Sequence, residues 1–209
     1  MFLPVNRWAL VCLICCSCSA TAGPAWEIGA KLGYATNRKG IDTLNRFFRD
    51  NSMAAVADSD DRSRQAGSLY LNIPLFGSLG AQLGYTDLGS ADTIVLGVDS
   101  VVNPYLDNLE RFPIDTIRGS FLAAHYDARL NDMTSVSIRA GLYYWKARYA
   151  IRNFETRRVA YGRGIDLMGG IDLRFKLTHR FSATVGWEIY TPDNNTLDFL
   201  NLGLIYRLR

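Results

Sequence analysis

The sequence predicts an all-β chain, an eight-stranded antiparallel up-and-down transmembrane β-barrel. Three observations lead there. Eight segments alternate apolar and polar residues, and a period of two gives a strand one face of each kind. Each segment is about ten residues long, the length of a tilted strand that crosses a membrane. The connections between them alternate as well, short then long.

Ahead of the first strand, "MFLPVNRWALVCLICCSCSATAG" carries one basic residue, Arg7. An apolar run from Trp8 to about Cys18 follows, then Ala20-Thr21-Ala22. This is the pattern of an export signal, expected as residues 1–22 with cleavage after Ala22, ahead of a single outer-membrane barrel domain over residues 23–209. All four cysteines (Cys12, Cys15, Cys16 and Cys18) lie in this segment, so the mature chain is expected to hold no disulfide and no thiolate metal site. A lipoprotein signal acylated at Cys18 is the alternative, although Cys15-Cys16-Ser17 matches a lipobox poorly. No apolar run of about 18 residues follows, so no membrane helix is expected.

The segments come in order. "WEIGAKLGYA" sets Trp26, Ile28, Leu32 and Tyr34 against Glu27, Gly29, Lys31 and Gly33. "GSLYLNIPL" sets Leu69, Leu71 and Ile73 against Ser68, Tyr70 and Asn72, and "LGAQLGYTDL" sets Leu79, Leu83 and Tyr85 against Gly80, Gln82 and Gly84. "SFLAAHYDARL" places Leu122, Ala124 and Tyr126 opposite Phe121, His125, Asp127 and Arg129. "SVSIRAGLYYW" places Val136, Ile138, Leu142 and Tyr144 opposite Arg139, Gly141 and Tyr143. In "GIDLMGGIDLRFKL" the polar set is Asp166, Asp172, Arg174 and Lys176, and in "FSATVGWEIY" it is Ser182, Thr184, Gly186 and Glu188. The chain closes on "FLNLGLIYRLR", with Leu200, Leu202, Leu204, Tyr206 and Leu208 against Asn201, Gly203, Ile205 and Arg207.

Strands two and three, four and five, and six and seven are joined by the short "FGS", "NDMT" and "THR". The other connections are longer and polar, an arrangement that puts both termini in the periplasm. An even strand number lets the last segment pair with the first and leaves no open edge. The rival is a soluble lipocalin-type barrel with the apolar set turned inward around a ligand.

The polar set decides between them. It is rich in glycine, which weakens a solvent-facing strand but relieves crowding in a narrow lumen. It also carries both signs of charge: Glu27, Lys31, Asp127, Arg129, Arg139, Asp172, Arg174, Glu188 and Arg207. Opposite charges packed inward neutralise one another, so these nine are expected as a lumen charge network. Lys31, Asp127, Arg139 and Glu188 are expected near mid-height. The apolar set holds aromatics near the strand ends, as an interfacial belt does. The apolar face is therefore expected to meet lipid.

"LGAQLGYTDLGSAD", "RAGLYYWKA" and "LDFLNLGLIYRLR" resemble strands of the OmpA-like outer-membrane barrel family, in which an "ELGYTDLG"-type third strand and an "LGLSYRF"-type last strand recur. The resemblance implies a lumen filled by side chains, and a barrel without the peptidoglycan-binding domain of full-length members. It also implies that Asn201, Gly203, Tyr206 and Leu208 form the signal read by the barrel-assembly machinery, with Leu208 and Arg209 replacing the usual terminal Phe. The implied location is the outer membrane of a Gram-negative bacterium, with membrane lipid and lipopolysaccharide as partners. The sequence names no extracellular partner.

Chemistry is thinly represented. Walker A, GxSxG, HExxH and paired CxxC motifs are absent, so no cofactor and no metal are expected. The near-balanced charge, +3 over the whole chain, argues against a nucleic-acid surface. Barrel hydrolases of this size use Ser/His/Asp sets, but Ser120 and His125 fall on opposite faces by parity, and His179 sits in a turn, so no enzyme is expected. Asp58, Asp60 and Asp61 lack the glycine and distal glutamate of an EF-hand. Phe47 and Phe48, flanked by Arg46 and Arg49, anchor a partner or lie on headgroups. The apolar residues Ile94, Val95, Leu96, Val98, Val101 and Val102 extend the third strand or form an adhesive or ligand-accepting patch. The basic "RNFETRRVAYGR" meets lipopolysaccharide phosphates or is a solvated loop. Two functions remain: a structural, surface-interaction barrel, or alternatively a narrow channel or transporter for small or apolar solutes.

Overall fold

Ten strands form in the computed structural model, which describes residues 25–38, 45–46, 48–50, 52, 55–58, 63–90, 94–97, 115–152, 157–192 and 195–208. In chain order they are β1 (Glu27–Asn37), β2 (Ala55–Asp58), β3 (Ser63–Phe76), β4 (Leu79–Ser90), β5 (Ile94–Gly97), β6 (Thr116–Arg129), β7 (Thr134–Arg152), β8 (Arg157–Lys176), β9 (Phe181–Tyr190) and β10 (Leu197–Arg207). Eight of them close a barrel in the order β7-β6-β4-β3-β1-β10-β9-β8, with β8 returning to β7. All eight contacts are antiparallel: seven join successive strands of the barrel, and the eighth joins the first strand to the last, from Glu27↔Arg207 to Asn37↔Leu197. The segment expected to direct export, residues 1–22, lies outside the described residues.

Turn chemistry fixes the short connections. Gly77 takes a φ of +60° between β3 and β4, which suits a residue without Cβ. Between β6 and β7 the Asn131 Oδ1 accepts the Met133 and Thr134 N–H groups at 2.9 and 2.8 Å. Between β8 and β9 the Thr178 Oγ1 accepts from Arg180 and Phe181 at 3.2 and 3.0 Å. Side chains that mimic a turn in this way let three-to-five-residue hairpins close without strain.

Parity then sorts the faces. Leu32, Leu69, Leu167, Leu200 and Leu202 are 64–74% exposed on the outside, while Glu27, Lys31, Gln82, Arg139, Asp172 and Glu188 are buried inside. An apolar band this continuous is far larger than a water-exposed surface carries, so its solvent is hydrocarbon. Trp26, Phe76, Phe175 and Phe181 ring the turn end, and Tyr34, Tyr85, Tyr144 and Trp187 ring the other. Trp26 to Tyr34 spans about 27 Å of strand, or roughly 20 Å of height once tilted, close to the apolar band of such barrels.

Three expectations are corrected. The basic stretch read as a loop is mostly hairpin, because β7 and β8 pair all the way to Arg152↔Arg157. Above the membrane a strand has no apolar face to show, so its alternation fades from the sequence. Ile94–Gly97 does not prolong β4; it pairs with β2 from the first long connection and touches β7 at Arg152. Finally, β10 stops at Arg207; Leu208 follows it with its N–H on the Trp26 carbonyl at 2.8 Å, and residue 209 lies outside the described residues.

Candidate functional site

The lumen holds the charged chemistry of this chain, and glycine makes room for it. Gly29 faces the Tyr70 ring, Gly84 the Phe121 ring and Gly186 the Asp172 carboxylate; a Cβ at any of these would collide with the side chain from the neighbouring strand. Each small residue is therefore one half of a pair whose other half is large.

At mid-height four strands deliver four charges. Lys31 from β1 donates to both Asp172 oxygens at 2.9 and 2.8 Å and to Glu188 Oε1 at 2.6 Å. Arg139 from β7 pairs with Asp172 and donates to the same Glu188 oxygen at 3.1 Å. Two cations meet two anions, all four at most 4% exposed, so the cluster is neutral. A buried charge is tolerated only when paired and hydrogen-bonded, and here each has at least two partners. Lys31 Nζ also lies 5.3 Å from the Tyr70 ring centroid.

Hydrogen bonds run from this quartet in both directions. Toward the turns, Arg139 donates to Gln82 Oε1 at 3.1 Å, Gln82 to Asn72 Oδ1 at 2.8 Å, and Asn72 to Glu27 at 3.3 Å. Glu27 accepts a two-pronged contact from Arg174 at 2.9 and 2.6 Å and has Arg207 at 3.5 Å. Toward the loops, the Tyr190 hydroxyl donates to Glu188 and lies 3.2 Å from Thr86 Oγ1, which in turn donates to Ser68 at 3.0 Å.

Above Tyr190 the lumen changes character. Leu88, Ile117, Tyr143, Trp145, Tyr149, Leu197 and Phe199 are buried there, joined by Phe48 from the first long connection. Phe48 is 2% exposed, so of the two readings of the Phe47–Phe48 pair neither holds for Phe48: it packs inward. Phe47 lies outside the described residues, as do Asp60 and Asp61.

The nine charges expected in the lumen thus separate into groups. Lys31, Arg139, Asp172 and Glu188 come together, and Glu27, Arg174 and Arg207 form a second cluster below them. Asp127 is not at mid-height. The register of β6 sets it beside the turn, where its N–H bonds the Ser78 carbonyl, and it stands 3.8 Å from His125. Asp172 takes the mid-height place instead. Arg129 is exposed at the mouth with no ion pair among the described residues. It shares a vestibule of about 220 Å³ there with Arg174, Lys176, Arg180 and Arg207. Sequence reasoning missed the apolar upper half, although Phe121 and Tyr143 already stood on the inward face.

His125 is buried while Ser120 points outward, and His179 is exposed in its turn. No cluster of His, Cys, Asp and Glu able to hold a metal occurs among the described residues. Of the proposed assembly residues, Asn201 is buried inward and Gly203 also faces the lumen, while Tyr206 packs outside against Phe181 with ring centroids 5.1 Å apart.

No protein-family profile matches the chain, and no curated protein sequence does. Among solved structures the fold is similar to Neisserial surface protein A (NspA), at 12% identity and a TM-score of 0.55, over 90% of this chain and 100% of that one. It is also similar to the outer membrane protein OprG from Pseudomonas aeruginosa, at 11% identity and a TM-score of 0.50, over 89% of this chain and 97% of the other. At such identities the likeness is one of fold. The chain has the closed eight-stranded antiparallel barrel of outer-membrane proteins.

Proposed function

We propose that this protein is a structural, surface-interaction barrel of the outer membrane, exported by residues 1–22 and folded by the barrel-assembly machinery through Asn201, Gly203, Tyr206 and Leu208. Trp26 and Leu208, at the two ends of the barrel, lie at the end with the short turns, which supports a periplasmic placement for the termini and an extracellular one for β2, β5 and the β7–β8 hairpin. One observation carries the reading: the lumen is filled twice, by a neutral ionic quartet at mid-height and by apolar side chains above it. A solute crossing would have to displace both.

The test is conductance of the purified barrel in planar lipid bilayers. A baseline without discrete steps is expected. Steady steps would sink the sealed-lumen reading and favour a narrow channel for small solutes.

A further inference from the structure

The outer wall of β4, β6, β7 and β8 is ordered in rows, because residues paired across neighbouring strands stand side by side on one face. Leu83, Leu122, Leu142 and Leu167 pair in one row. Two residues toward the long connections the row is Tyr85, Ser120, Tyr144 and Ile165, and two further it is Asp87, Arg118, Lys146 and Arg163. Arg118, Lys146 and Arg163 are all exposed. Like charges directly opposite one another destabilise a sheet, so three cations on three adjacent strands cost the isolated barrel stability.

Among the described residues, no carboxylate neutralises them. Asp87 ends the row, but its Oδ1 accepts the Gly89 N–H at 2.9 Å. One row higher, Arg148 has a partner, Asp115, at 2.7 Å. On the far wall, Arg38 is neutralised by Asp198 at 2.7 Å, which also accepts the Trp187 Nε1–H at 2.9 Å. Among the described residues, these two outward cations of the loop end have carboxylate partners, and the three of the stripe have none.

We infer that Arg118, Lys146 and Arg163 bind the phosphates of lipopolysaccharide, the phosphorylated glycolipid of the outer leaflet. The leucine row lies in hydrocarbon and the tyrosine row at its edge. The cationic row comes about 7 Å further along the strands, at the depth of headgroups. The stripe is continuous with the lipid-facing wall, so its occupant is a lipid; a protein partner would have to strip lipid away to reach it. Guanidinium and ammonium groups give phosphate charge-assisted hydrogen bonds, and the mutual repulsion of the row is what such an anion removes.

The inference rests on the outer-membrane reading with the long connections outside. The test uses the full barrel in an uncharged detergent, titrated with fluorescent lipopolysaccharide, with dephosphorylated lipopolysaccharide and with phosphatidylglycerol. Wild type is expected to bind the first at least about tenfold more tightly than the other two. The R118Q/K146Q/R163Q variant is expected to lose that preference, and R118K/R163K to keep most of it. The triple variant is also expected to unfold at the same temperature as wild type or a higher one without glycolipid. Equal binding of the dephosphorylated form by wild type, or undiminished binding by a folded triple variant, would overturn the inference. Equal binding of phosphatidylglycerol would do so too, reducing the stripe to a nonspecific anion surface. A chain that shows no heat-dependent band shift in any detergent would instead sink the barrel reading beneath it.

Discussion

The two halves of the lumen obey the same strand parity and fill the same width, yet they are built on opposite principles. The turn-side half is directional: Lys31, Arg139, Asp172 and Glu188 each need the others at hydrogen-bond distance. The loop-side half is not: Leu88, Ile117, Leu197 and Phe199 ask only for contact and exclusion of water. Ionic packing specifies one arrangement and fails abruptly when a partner goes. Apolar packing tolerates exchange as long as volume is kept.

One substitute residue separates the two. Lys31→Met keeps the volume but leaves Asp172 and Glu188 facing each other with Arg139 alone between them. Removing one partner of a buried charge cluster costs about 3–5 kcal/mol. Urea unfolding of the barrel in lipid vesicles, followed by the heat-dependent gel shift, is expected to show that loss. An unchanged midpoint would mean that water, not Lys31, satisfies the carboxylates.

In the upper half, Leu88→Ala removes a fully buried side chain and leaves a cavity, at about 2–5 kcal/mol. Leu88→Met is expected to cost under about 1.5 kcal/mol, because a flexible thioether fills the same space. Methionine is thus severe at position 31 and mild at position 88, although both face inward on neighbouring parts of one lumen. If Leu88→Met matched Lys31→Met, the two halves would not differ in kind.

The inward and outward sets were legible in the sequence because they need only a period of two, which no tertiary contact can alter. Heights were not. Whether Asp127 or Asp172 reaches Lys31 depends on where β6 and β8 begin, and β6 starts at Thr116, four residues ahead of the alternating stretch that announced it. The upper apolar half was hidden for a related reason. In "LDFL" the inward Leu197 and Phe199 stand next to the outward Leu200, so no contrast marks which of them is buried. The long β7–β8 hairpin escaped because its outer rows carry Lys146, Arg148, Tyr161 and Arg163 above the hydrocarbon, where a strand and a polar loop read alike.

Tyr190 is the joint between the halves, and its hydroxyl alone tests it. Its ring packs edge-on against Tyr143 at 4.8 Å between centroids, within the apolar half, while its hydroxyl donates to Glu188 of the ionic one. Tyr190→Phe keeps the ring and removes one donor from a carboxylate that still has Lys31 and Arg139. The cost is expected to be about 1.5–3 kcal/mol, the value of a hydrogen bond to a charged group. Tyr190→Ala removes the ring as well and is expected to cost about 3–5 kcal/mol through the cavity. If Phe were as damaging as Ala, the hydroxyl would be the element that positions Glu188, and the ionic half would depend on the apolar one for its geometry. A Phe variant indistinguishable from wild type would make the halves independent, joined only by sharing a wall.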